Sequence, residues 1–96
     1  MTIDAIVGYE SDNVATALTD IAAGDDALTR IGTEVRRLAV REAIAYGHKF
    51  AVSTMEQGSV VIKYGEIIGS TTARIEAGCH VHVHNVVSLR GRGDLR

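Results

Sequence analysis

A short motif that ends in glycine occurs four times in the chain and divides it into short segments. Each copy has an apolar residue, two variable residues and a glycine, at residues 21–24, 44–47, 55–58 and 75–78. Glycine readily adopts the positive φ angle that a tight turn requires. The motif therefore predicts a chain that turns sharply many times, as in a compact barrel or clip of short strands. The uneven glycine spacings of 23, 11 and 20 residues exclude a solenoid.

The length and composition predict one globular domain with a thin core. A chain of 96 residues forms a single core, and a hydrophobic fraction of 46% with a net charge of −2 argues against disorder. Because the chain has one Phe and no Trp, the core has to be built from aliphatic side chains. A small domain of this kind is a candidate for resting on a partner.

Several classes of protein are disfavoured by the same composition. The basic residues cluster at 36–41 and 90–96, but almost no aromatic residues accompany them for stacking on bases, so we expect no nucleic-acid partner. We expect no membrane association, because the chain has no signal peptide and no apolar run of about 18 residues. With a single cysteine there is no internal disulfide, and together these features favour the cytoplasm.

Most of the chain has the pattern of short strands, with one ambiguous segment. Alternation or β-branched runs predict strands at 1–9, 14–21, 48–53, 60–64, 67–69, 71–75 and 80–87, with a hairpin turn at 65–66. Residues 33–46 contain good helix formers at amphipathic spacing, although a strand at 34–40 also fits. The residues alone slightly favour the helix there.

Three of the four histidines lie at spacing two, as His80, His82 and His84, and alternate with valines. A strand would place the three imidazoles on one face and the valines on the core face. Three such residues, about 7 Å apart, would not all reach one metal ion, whereas a His-x-His pair with a third ligand from elsewhere would. The alternative is an exposed strand face whose histidines bond to backbone carbonyls.

The other polar candidates also have a structural interpretation. His48 and Lys49 follow a turn glycine and fit a surface turn, and Lys63 and Tyr64 fit a solvated hairpin. Cys79 has no suitable acid–base partner nearby in the sequence, so we do not expect it to be a nucleophile.

Five stretches occur in an order that identifies a family. They are DNVATAL at 12–18, GHK at 47–49, KYG at 63–65 with IG at 68–69, HVHVHN at 80–85 and RGRGDL at 90–95. Over nearly the whole chain they resemble the small N-terminal module of the altronate and galactarate dehydratase family. The resemblance implies a mainly β, SAF-type β-clip fold of short strands with little helix at residues 1–88. It also implies a strand, not a helix, at 33–40. The end of the chain has two glycines and no core pattern, so we expect a flexible basic tail at 89–96 that leads to or docks on a large catalytic part.

The resemblance also implies a function. In that family the module is either the start of a long dehydratase or a separate small subunit, and the family reaction removes water from a sugar acid. A related enzyme eliminates sulfite from sulfolactate. We therefore expect a small dehydratase subunit, or an excised module, with a large dehydratase subunit and a sugar acid as partners. A divalent iron or manganese ion is expected on the large subunit and no metal ligand on this chain, which on its own could form a homo-oligomer.

Dehydration beside a carboxylate needs a base for the α-proton, an acid or metal for the leaving hydroxide, and cations for the carboxylate. Histidine suits the first two roles and lysine the third. The predicted catalytic residues are His48, His82 and His84, and the predicted substrate-binding residues are Lys49, Lys63, Tyr64, His80 and Asn85. Two alternatives stay open, a stand-alone module that binds a carbohydrate or acidic ligand and a protein that stores or delivers metal.

Overall fold

The computed structural model describes residues 2–88, which form nine short strands in two sheets. The strands are β1 (Ala5–Val7), β2 (Val14–Ala17), β3 (Asp26–Ile31), β4 (Glu34–Ala39), β5 (Lys49–Ala51), β6 (Val60–Lys63), β7 (Glu66–Thr71), β8 (His80–Val81) and β9 (Val86–Ser88). The larger sheet has the order β4-β3-β1-β2-β5-β8 and the smaller one β6-β7-β9. The mainly β prediction is confirmed. The predicted tail at 89–96 lies outside the described residues.

Residues 2–88 contain no helix, so this part of the chain offers none that could cross a membrane.

The glycine motifs form four equivalent corners. The glycines Gly24, Gly47, Gly58 and Gly78 have φ angles of 90°, 83°, 85° and 88°, as the third position of a type II turn requires. The apolar residues that begin the motifs are buried and pair in two isolated bridges, Ile21 with Ile44 and Met55 with Ile75. The predicted corners are confirmed, and the motif's apolar residue fixes each corner to another corner.

The core consists of two clusters on opposite sides of β2 and β5. Phe50, which is 0% exposed, lies in the first cluster with Ala15, while Val14 and Ala51 lie in the second. Successive residues of a strand point to opposite faces, so adjacent positions of β2 and β5 supply both clusters. Apart from Phe50 the buried hydrophobic residues are aliphatic side chains and Met55, which agrees with the thin core that the composition predicts.

The segment with the amphipathic helix pattern is a strand. All six residues of β4 pair antiparallel with β3, and five of the six are exposed, so the segment has no buried stripe that would stabilise a helix. The turn into β4 contains Gly32 with a φ angle of 62°. The slight preference for a helix that came from the residues alone is wrong, and the strand implied by the family resemblance is confirmed.

Two other predicted strands end earlier than the pattern indicated. The strand predicted at 14–21 stops at Ala17, and the strand predicted at 71–75 contributes only Thr71. In both cases the chain turns into a corner, because Ile21 and Ile75 pair with other corner residues rather than extending the strand.

Asp12 joins the beginning of the chain to the β6–β7 turn. Its Oδ2 accepts hydrogen bonds from the backbone N–H groups of Gly8, Tyr9 and Tyr64 at 3.1, 3.1 and 2.8 Å, and its Oδ1 accepts one from Gly65 at 2.8 Å. Burial raises the pKa of Asp12, but the four N–H donors outweigh it and hold the pKa below its ordinary 3.8. The carboxylate is therefore an ionised structural link.

Asn13 continues this link along β6. Its side chain accepts a hydrogen bond from Ile62 N and donates one to Val60 O, both at 2.8 Å. The two residues that begin the DNVATAL stretch thus hold the strand that ends in Lys63.

Candidate functional site

All four histidines of the chain lie in one cluster, although His48 and His80 are 32 residues apart. Strand β5 pairs antiparallel with β8, with Lys49 opposite Val81, and this register places His48 opposite His82. Both histidine segments begin at a corner, since His48 follows Gly47 and His80 comes two residues after Gly78. The corners therefore bring the imidazoles together.

Three imidazole rings lie close together with nearly parallel planes. The ring centroids of His48, His80 and His82 are 4.4 to 5.1 Å apart, and the ring planes differ by 12° to 16°. His48 Nδ1 lies 2.9 Å from His80 Nε2, so one of these nitrogens donates a hydrogen bond to the other. His84 stands beside these three rings, with its ring 5.4 Å from His80 and tilted by 42°.

The segment that carries the histidines is a short strand and a turn, not the long strand that was predicted for residues 80–87. Strand β8 contains two residues, a turn follows, and β9 begins at Val86. The Asn85 side chain stabilises the turn, because its Oδ1 accepts a hydrogen bond from His82 N at 2.9 Å and its Nδ2 donates one to His80 O at 2.8 Å. The prediction of one continuous strand at 80–87 is therefore wrong, although the imidazoles of His80, His82 and His84 still lie side by side.

Burial and mutual repulsion disfavour protonation of His80 and His82. Burial lowers the pKa of His80 below its usual 6.5, and the charges of the other three histidines lower it further, while Glu42 acts in the opposite direction. Burial, His48 and Lys49 lower the pKa of His82 in the same way. A neutral imidazole can accept a proton or bind a metal ion through its lone pair.

Lys49 lies near the imidazoles, and Lys63, the other lysine of the chain, lies near Lys49. Burial lowers the pKa of Lys49 below its ordinary 10.5, and the neighbouring charge of Lys63 lowers it further. Lys63 Nζ also lies 5.3 Å from the centre of the Tyr64 ring. Two ammonium groups on one surface attract an anion.

An open cavity of about 230 Å³ lies next to the cluster. Its lining combines Lys49 and His82 with apolar side chains, among them Val83, which is 83% exposed. The cavity gives a small anionic ligand a place where it could contact both an ammonium group and an imidazole.

The structure brings five of the eight predicted site residues together, namely His48, Lys49, His80, His82 and His84, and Lys63 lies close enough to act electrostatically on Lys49. The other two have structural contacts. Tyr64 has a φ angle of 52°, and its ring packs against Gly8, where an added Cβ would lie 2.1 Å from the ring. Asn85 holds the turn.

Glu42 is a residue of this region that the sequence did not single out. Its Oε1 accepts a hydrogen bond from the backbone N–H of His80 at 2.7 Å. The two residues are 38 positions apart, and no local pattern predicts their contact.

The cluster fits a divalent metal ion. The potential ligand atoms of His48, His80 and His82 all lie within 4.8 Å of one another. Imidazole nitrogens about 2.1 Å from a tetrahedral zinc-like ion are about 3.4 Å apart. The donor set is the His-x-His pair of His80 and His82 with His48 as the third ligand. The family resemblance, in contrast, implies that the expected metal lies on the large subunit.

Comparisons with known proteins agree on one family. The altronate/galactarate dehydratase SAF domain matches residues 3–89. Altronate dehydratase of Escherichia coli (strain K12) is 46% identical over 74 residues, which cover 77% of this chain and 14% of that protein. The (2R)-sulfolactate sulfo-lyase subunit alpha of Chromohalobacter salexigens is 36% identical over 93 residues, which cover 94% of this chain and 99% of that subunit. The chain thus spans about one seventh of this altronate dehydratase and nearly all of the sulfo-lyase subunit.

Proposed function

The chain belongs to the altronate/galactarate dehydratase SAF-domain family, and we propose that it is the small subunit or module of a sugar-acid dehydratase. In this proposal its imidazole–lysine surface forms one wall of an active site that a large catalytic part completes. One observation carries the proposal. Residues from two separate stretches, at 48–49 and 80–84, meet beside one open cavity, and the charge of Lys63 acts on Lys49 at this surface.

The chemistry of the surface suits a hydroxy acid. Lys49 and Lys63 would bind the substrate carboxylate, and the burial of Lys49 strengthens such an ion pair because less water screens it. Neutral imidazoles would take or return a proton at the reacting carbons. The divalent iron or manganese ion proposed for the large part would supply a Lewis acid for the leaving hydroxide.

The two kinds of relative act on different leaving groups, as their names state. We propose a sugar acid rather than sulfolactate, supported by the 46% identity to an altronate dehydratase. We further propose a β-clip topology, supported by the short strands and sharp corners, and a cytoplasmic location, supported by the single cysteine.

Co-expression with the large dehydratase chain of the same organism tests the proposal. We expect the two chains to co-purify, and dehydration of altronate or galactarate to require both. Lys49→Gln should lower kcat/KM about 10- to 100-fold, mainly through KM, because one charged hydrogen bond to the carboxylate is lost. Arg37→Gln on β4, at the opposite edge of the larger sheet, removes the same charge and should leave kcat/KM unchanged. The proposal fails if the chains do not associate and the small chain leaves the activity unaltered.

A stand-alone ligand-binding module is the second candidate, because the cavity and the lysines belong to this chain alone. It predicts saturable binding of galactarate by the isolated chain in a calorimetric titration. A flat titration would exclude it.

A further inference from the structure

We infer that His48, His80 and His82 together bind one divalent transition-metal ion, with a coordination position left open toward Lys49 and the adjacent cavity. The inference concerns this chain alone and needs no large subunit. It therefore adds a metal site that is separate from the ion proposed for the large part. His84 lies beside the triad and is not a ligand in this proposal, so it is the imidazole that remains for proton transfer when the ion is bound.

The nitrogens are close enough to bind one ion after the rings turn toward it. Ligand nitrogens of a four-coordinate ion at about 2.1 Å are about 3.4 Å apart. His48 Nδ1 and His80 Nε2 are 2.9 Å apart, and no pair in the triad exceeds 4.8 Å. Rotation of the side chains about χ1 and χ2 would move the nitrogens by up to about 1.5 Å and would direct their in-plane lone pairs at one ion. On binding, the proton shared between His48 and His80 would be released, because both nitrogens would then face the ion.

The backbone holds the three ligands on well-supported segments. The β5–β8 register fixes His48 opposite His82, and the backbone N–H and C=O of His48 bond to Ala45 O and Ala17 N. Asn85 fixes the turn that returns His82 toward His80. Ligands that are held in this way lose little conformational entropy on binding.

The donor set favours particular ions. Imidazole nitrogens suit zinc, iron, cobalt, nickel and copper, whereas magnesium and calcium prefer oxygen ligands. Three protein ligands with a vacant position are typical of catalytic rather than structural sites. Because Lys49 lies next to His82, the vacant position should take an anionic oxygen ligand such as a carboxylate.

Metal titration of the untagged 96-residue chain tests the inference. After dialysis against a chelator, the chain is titrated with CoCl₂, followed by the visible d–d absorption, and then with ZnCl₂ in competition. We expect saturation at one equivalent. His48→Ala, His80→Ala and His82→Ala should each weaken metal binding at least about tenfold. The loss of a ligand lowers the metal affinity no less than the loss of an outer-sphere partner does. The matched control His84→Ala should change the affinity less than about threefold.

Two results would overturn the inference, namely no saturable uptake near one equivalent or an equal loss of affinity in His84→Ala. Circular dichroism checks that each variant is folded. If a variant is unfolded, the unchanged chain decides the question by NMR of its imidazole nitrogens. Zinc should then shift His48 Nδ1 and His80 Nε2 strongly and the His84 nitrogens weakly, and the absence of that pattern would contradict the proposed site. A negative result would leave the dehydratase proposal standing, because that proposal is tested by complex formation and activity.

Discussion

Replacement of Asp12 tests whether one carboxylate links the N-terminal segment to the β6–β7 turn. The side chain is buried, with the residue 7% exposed, and accepts four backbone N–H groups. A hydrogen bond to a charged group contributes about 1.5–3 kcal/mol, and neighbouring bonds are not additive, so Asp12→Ala should lower the free energy of unfolding by about 3–4 kcal/mol. Asp12→Asn should cost about 2 kcal/mol, because its amide oxygen can replace Oδ2 and keep three of the bonds while its NH₂ faces Gly65 N.

The loss of unfolding free energy in the Asp12→Asn variant should depend on pH. The folded-state pKa of Asp12 is below 3.8, so its ionisation adds stability that is complete above the unfolded-state pKa and is lost as the pH falls through the folded-state value. The asparagine variant cannot titrate at this position. The two proteins should therefore differ most near neutral pH, and the difference should shrink as the pH falls below 3.8.

Urea unfolding followed by circular dichroism measures both effects. Asp20 provides the control, because it is exposed and its Oδ1 accepts a single backbone N–H, from Tyr46 at 2.8 Å. Asp20→Asn should change the free energy of unfolding by no more than about 0.5 kcal/mol. The structural link is refuted if Asp12→Ala lowers the free energy of unfolding no more than Asp20→Ala does. It is also refuted if the loss of stability in Asp12→Asn stays constant from neutral to acid pH.

Three further substitutions test the corners, the core and the turn. Gly24→Ala should lower the stability by about 1 kcal/mol, because φ is 90° there although no atom lies near the added Cβ. Gly78→Ala should lower it by at least about 3 kcal/mol, because its Cβ would lie 2.3 Å from a backbone oxygen. Thermal unfolding compares the two variants. Phe50→Ala should lower the urea-unfolding free energy by about 3–5 kcal/mol, and a loss below 1 kcal/mol would contradict its central place in the core. Asn85→Ala should weaken cobalt binding about 10- to 100-fold, because the backbone of His82 loses its hydrogen bond to the Asn85 side chain. The circular dichroism spectrum should stay unchanged. An unaltered affinity would show that the turn does not position that ligand.

The corners could be predicted from the sequence, but their pairing could not. A tight turn with positive φ selects glycine, and a buried anchor selects an apolar residue, so each corner leaves a local pattern. The bridges between Ile21 and Ile44 and between Met55 and Ile75 join separate corners. Nothing local distinguishes this arrangement from other pairings of four similar motifs.

The histidine site was predictable as a set of residues and not as a geometry. Spacing two indicated a shared face for residues 80–84, yet the Asn85 side chain bonds to the backbone there and turns the chain. Such local side-chain hydrogen bonds compete with strand pairing. The alternation of apolar residues in the sequence does not indicate this competition. His48 joins the cluster through the β5–β8 pairing, a contact across 32 residues.

Hydrogen bonding separates two roles among the residues that carry the family resemblance. Asp12, Asn13 and Asn85 direct their polar atoms at backbone groups, so they hold the β6–β7 turn and the histidine turn in place. His48 and His80 instead direct ring nitrogens at each other across a shared proton, and these are the nitrogens proposed to bind a metal ion once the proton leaves and the rings turn. Substitutions in the first group should therefore alter stability and, through position, affinity. Substitutions of the two histidines should alter metal binding with little change in the free energy of unfolding, and a large loss of stability in either would contradict this division.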